Sequence, residues 1–131
     1  MCTLRVRQLG GCMIARLAGE IDASNAVALG GHLSVLVEHG HIVIDLSDVD
    51  FLDSMALGAL ITVHKRAVER GTSIRLAGAS GITLRVLKIT RLDVHLDHYE
   101  HVADAVEAAL GARDGVSDDP GTGRPVEGTA G

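Results

Sequence analysis

The sequence predicts one α/β domain with a mixed sheet packed against helices, in the element order ββαβαβαβα. Three observations predict it. Gly10-Gly11 separates two alternating stretches, the pattern of a tight hairpin. "HIVIDL", 41–46, has almost no alternation and several β-branched residues, as a strand buried on both faces requires. After it, apolar runs of strand length alternate with amphipathic stretches of helix length, which is how parallel strands with crossover helices read.

The hairpin sets Leu4 opposite Leu17, Val6 opposite Ala15 and Gln8 opposite Met13, giving one largely apolar face. The same register puts Arg5 across from Arg16 with Arg7 nearby, a like-charge cluster that solvent or an acidic group has to relieve. Cys2 lies at the open end of this hairpin and Cys12 beside its turn. At roughly 3.3 Å of rise per residue they stand too far apart for a disulfide, so both are read as free thiols.

A helix follows over about 24–37, with Ser24 as its N-cap and Val27, Leu33 and Val37 among its core positions. The pair Gly30-Gly31 costs it about 1 kcal/mol per glycine relative to alanine, so it depends on packing. Beyond 41–46 the chain enters a second helix over about 54–70, with Leu57, Leu60, Ile61, His64 and Val68 on its apolar stripe and Gly71 ending it. A strand at 73–78, a helix over about 81–90 capped by Ser80, a short strand at 94–99 and an amphipathic helix at 102–110 complete the order. The domain is placed at 1–112. Residues 113–131, dense in Gly, Asp and Pro, read as a disordered tail.

At 131 residues and 47% hydrophobic composition the chain builds one core. A formal charge of −5, with one Phe, one Tyr and no Trp, speaks against nucleic acid as a partner, which calls for a basic face and stacking rings. "SMALGALITV" is cut off by His64, Lys65 and Arg66, so no membrane insertion is expected. The first residues alternate rather than forming a signal-peptide core, which places the chain in the cytoplasm. Without a P-loop or G-x-G-x-x-G pattern no cofactor is expected. "HLDHYEH" carries metal-ligand residue types, but a strand there would send His95 and His98 to opposite faces, so no metal site is expected.

The informative stretch is "VDFLDSMALGAL", 49–60, where an apolar strand ends in Asp53 and Ser54 at the mouth of a helix. A serine nucleophile would need a base, and His64 is ten residues along the helix, about 15 Å away. The stretch also lacks a G-x-S-x-G elbow. Capping alone accounts for both residues, since an aspartate or serine there accepts an orphan N–H and a carboxylate meets the positive end of the helix dipole.

A further reading comes from resemblance. "LAGEID" at 17–22, "VIDLSDVDFLDSMAL" at 43–57 and "LRVLKITRLD" at 84–93 together resemble a STAS domain of the bacterial anti-sigma factor antagonist type, in that family's order and with fitting intervals. The resemblance implies a regulator that is no enzyme. Its unphosphorylated form would bind an anti-sigma factor that is itself a GHKL-type serine kinase, freeing a sigma factor. Phosphorylation of Ser54 would reverse this, and a PP2C-type phosphatase would restore binding. The partner surface it implies comprises Asp22, Ser24, Asp53, Ser54, Met55 and Ala56. The alternative within the fold is a STAS subunit that docks a transporter or signalling scaffold without phosphorylation. Met55-Ala56 stands where the family usually has a small hydroxyl residue or glycine and then Gly, and Arg91 where it often has glycine.

Overall fold

The computed structural model describes residues 2–113, and it arranges them as one five-stranded sheet with helices on both faces. The strands are β1 (Cys2–Leu9), β2 (Cys12–Ile21), β3 (His41–Leu52), β4 (Ile74–Ala77) and β5 (His98–Tyr99), and they lie side by side in that order. β1 and β2 form the antiparallel hairpin, with Leu4 opposite Leu17, Val6 opposite Ala15, Gln8 opposite Met13 and Arg5 opposite Arg16, as the sequence predicts. The remaining neighbours are parallel, so the sheet is mixed.

The helices are α1 (Ala26–Leu36), α2 (Ser54–Glu69), α3 (Gly81–Ile89), the single turn α4 (Leu92–His95) and α5 (Val102–Arg113). Leu29 and Leu33 of α1, Leu60 and Val63 of α2 and Leu87 of α3 share one core with Leu17, Ile42, Ile44 and Leu76 of the sheet. Ala105, Val106 and Ala109 of α5 cover the opposite face through Cys12, Ile14, Val43 and Ala77. β3 is thus buried on both sides, which explains the absence of alternation in its first half. Both cysteines are free thiols. Among the described residues, no helix is long and apolar enough to cross a membrane.

Several sequence expectations are corrected. α1 begins two residues later than placed, and Asn25 rather than Ser24 occupies the cap position, because Asn25 and Ser24 are both committed to the turn before the helix. Val27 is 74% exposed, since the buried stripe is Ala26, Leu29 and Leu33, from which Val27 is out of phase by about a third of a turn. On α2 the buried positions are Ala56, Leu57, Leu60, Val63 and Ala67, whereas Val68 is exposed. Of the predicted strand at 94–99, Val94 and His95 belong to the turn α4 and only His98–Tyr99 form β5. The predicted tail lies outside the described residues, except Arg113 at the end of α5.

Arg91 carries the one positive φ among described non-glycine residues, with φ 61° and ψ 26°, between α3 and α4. A side chain there costs about 1 to 2 kcal/mol, and glycine gives back part of that relief as unfolded-chain entropy. Arg91→Gly is therefore expected to stabilise the fold by about 0.5 to 1 kcal/mol and to raise Tm by about 3 °C in differential scanning calorimetry.

Candidate functional site

β2 and β3 run parallel and end level with each other, Ile21 beside Leu52. The loops that leave them, into α1 and α2, therefore emerge side by side at the same end of the sheet. The backbone N–H of Asp53 donates to the carbonyl of Ile21 at 3.1 Å and fixes the second loop against the first.

Asp53 has extended backbone geometry, and its carboxylate serves two chains of the fold at once. Oδ1 accepts from the N–H of Ala56 at 3.0 Å, capping α2, and Oδ2 accepts from the N–H of Ala23 at 3.1 Å in the neighbouring loop. The first loop is braced from within: Oδ1 of Asp22 accepts from the N–H of Ser24 at 2.9 Å and from its hydroxyl. Oδ1 of Asn25 accepts from the N–H of Asp22 at 3.0 Å, and Nδ2 of Asn25 donates to the carbonyl of Glu20 at 3.0 Å. The bonds from Ser24 hold the Asp22 carboxyl below its usual range.

With its carboxylate engaged, Asp53 leaves the next residue free to point outward. Ser54 is the first residue of α2, is exposed, and forms no side-chain hydrogen bond among the described residues. It sits at the mouth of an open groove of about 520 Å³ between α1 and α2, lined by Val27, Gly30, Met55 and Gly58 among others. Gly30 lies over Ala59 in the groove, where an added Cβ would stand 3.4 Å from the Cβ of Ala59. Met55 is 48% exposed on the rim.

The segment that forms these two loops is acidic. Between residues 17 and 64 the sequence has seven carboxylates and no Lys or Arg. Glu20, Asp22, Asp50 and Asp53 belong to that run and cluster where β2 and β3 end. The exposed apolar residues Val27, Phe51 and Met55 lie on the same stretch of chain.

Of the six residues the sequence singled out, the structure brings Asp22, Ser24, Asp53, Ser54 and Met55 to one surface. Ala56 is a correction: its side chain is 1% exposed, so it contributes only the N–H that Asp53 holds. Sequence reasoning missed Ala23, Asn25 and the groove residue Val27. The signal for Val27 was present in its phase on α1, but the bond between Ala23 and Asp53 joins residues 30 apart and has no local signature. His64 is half-buried on the same helix as Ser54. Its Nδ1 is buried without a partner among the described residues. His98 accepts from the N–H of Ala79 at 3.2 Å, while His95 belongs to α4. Among the described residues no three His, Cys, Asp or Glu side chains gather as metal ligands.

Residues 3–105 match the family described as STAS domain. The chain is 35% identical over 82 residues to a Bacillus subtilis protein named anti-sigma-B factor antagonist, spanning 62% of this chain and 75% of that one. It is 36% identical over 78 residues to a protein of the same name from Listeria monocytogenes, covering 58% of this chain and 68% of that one. The fold is similar to the crystal structure of an anti-sigma factor antagonist from Mycobacterium paratuberculosis, with TM-score 0.76 and 29% identity, over 84% of this chain and 95% of that one.

Two expected outcomes follow from the bridge and its surroundings. Asp53→Ala removes the α2 cap and the tie to Ala23, and is expected to cost about 2 kcal/mol in urea unfolding; Asp53→Asn, which keeps one acceptor, is expected to cost about half that. Asp22 and Glu38 both titrate below their ordinary values, the former through Ser24 and the latter through Arg66. Their contribution is therefore complete above the unfolded carboxylate pKa of about 4 and is lost as pH falls through the lower folded values. Acid unfolding followed by circular dichroism is expected to be less steep in Asp22→Asn, Glu38→Gln.

Proposed function

The chain belongs to the STAS domain family, and from that premise we propose that it is an anti-sigma factor antagonist whose binding is switched at Ser54. It acts in the cytoplasm by occupying a partner, without catalysis of its own. The unphosphorylated form binds an anti-sigma factor that is a GHKL-type serine kinase and so frees a sigma factor. The kinase phosphorylates Ser54 and releases the antagonist, and a PP2C-type phosphatase resets it.

The observation that carries this reading is the placement of Ser54: exposed at the first turn of a long helix, beside an apolar groove, with the capping bonds made by Asp53 instead. A hydroxyl in that position is accessible to a kinase and is not needed by the fold. Two effects then separate folding from binding. A phosphoryl group adds about −1.5 to −2 charge at the N-terminus of α2, where the dipole favours an anion by roughly 0.3 to 1 kcal/mol. That offsets repulsion from Asp53 and the fold accepts the group. A partner packed over Met55 and the groove would have to desolvate the same group, a penalty that reaches several kcal/mol. The larger effect acts on the complex.

The test is capture of partners from bacterial lysate on wild type, Ser54→Ala and Ser54→Asp, with the intact mass of each bait, followed by affinity measurement with the purified kinase. Ser54→Ala is expected to stay unmodified and bound, Ser54→Asp to bind weakly, and stoichiometric phosphorylation to lower affinity about a hundredfold or more, equivalent to about 2.8 kcal/mol. Equal phosphorylation of Ser54→Ala, or unchanged affinity after full modification, would refute the switch.

A further inference from the structure

On the sheet face that carries α5, the helix covers β2, β3 and β4 but leaves the β1 side open. There a cleft of about 530 Å³ is lined by Arg5, Arg7, Arg16, Ile14, Asp45 and Val102. Arg5 and Arg16 are directly paired across the hairpin, so their Cβ atoms lie about 5 Å apart, and Arg7 follows Arg5 at the next position on the same face, about 7 Å along β1.

Three guanidinium groups so close repel one another, and the fold answers only part of that charge. Arg16 is anchored: Nε donates to Oδ2 of Asp48 at 2.9 Å, and Nη2 donates to the same oxygen. Asp45 is buried at the foot of the cleft, its Oδ1 accepting from the N–H of Ser47 at 3.0 Å and from the Ser47 hydroxyl at 2.7 Å. Arg5 and Arg7 are exposed and form no ion pair with a described residue. Three cations thus meet two carboxylates, in a chain whose formal charge is −5.

The geometry points to this cleft as a binding site for a small phosphate-bearing anion, gripped by Arg5, Arg7 and Arg16 with its organic part against Ile14 and Val102. A tetrahedral phosphate presents several oxygens to separate planar guanidinium forks, which a carboxylate with two oxygens does less completely. The volume falls in the range of small-molecule sites, and a concave cleft with one cation already oriented suits a small ligand better than a flat protein surface. The cleft lies on the face opposite the α1–α2 groove, so this site is separate from Ser54.

The test is calorimetric titration of the full chain at low ionic strength with inorganic phosphate and with phenyl phosphate, beside sodium chloride at matched ionic strength. One saturable site per chain is expected, with phenyl phosphate binding more tightly, Kd about 1 mM or below. Arg5→Gln with Arg7→Gln is expected to weaken it about tenfold or more, and Ser54→Ala to leave it unchanged. Both arginines are exposed strand residues, so the variant retains the fold, which circular dichroism checks. The assignment is overturned if neither phosphate binds saturably, if chloride reproduces the effect, if the double variant binds as well as wild type, or if an acidic peptide binds there and the phosphates do not.

Discussion

The carboxylate of Asp53 is the joint on which the candidate site depends. A single side chain caps α2 through Ala56 and holds the adjacent loop through Ala23, so two crossover connections are fixed relative to each other without a partner's help. Such a bridge works because β2 and β3 are parallel and end together; one residue of slip in their register would carry the Ala23 N–H out of reach. The β2–β3 pairing shifts register twice, where β3 gains one residue on β2 between Asp45 and Asp48 and another between Val49 and Phe51, just before this end. They set the final phase in which the two loops meet.

That rigidity leaves the neighbouring hydroxyl uncommitted. In many helices the first serine is consumed as a cap, whereas here the residue before it does that work and Ser54 keeps its hydroxyl exposed. The helix start is tolerant of added negative charge, and Met55 beside it is exposed. The Met55 side chain lies on the rim of the groove and leaves the core untouched.

The two faces of the sheet divide the molecule's chemistry. The face under α1 to α4 is a continuous apolar core, and the Ser54 end is built from the connections above it. The other face is only partly covered, because α5 spans the central strands and stops short of β1. Charged side chains on an edge strand protect it from pairing with other chains, and Arg5 and Arg7 serve that end whatever else they bind.

The sequence by itself determined the hairpin register, the buried strand, the mixed sheet and the position of Ser54 at a helix start. Each of these rests on short-range periodicity or turn chemistry, which the chain carries locally: Gly10-Gly11 fixes every pair in the hairpin, and "HIVIDL" has the composition of a strand with no solvent face. Arg91 stood out only through the family resemblance, and the backbone places it at a left-handed position. What only the tertiary structure decided is which faces are buried and which polar groups meet. Val27 and Val68 are apolar yet exposed, because burial follows the direction in which a helix packs and not the size of its side chains. Ala56 passed from the surface to the core for the same reason. The bond from Ala23 to Asp53 and the pair Arg16–Asp48 span 30 and 32 residues, and no local pattern encodes a contact whose geometry exists only once the parallel strands have aligned.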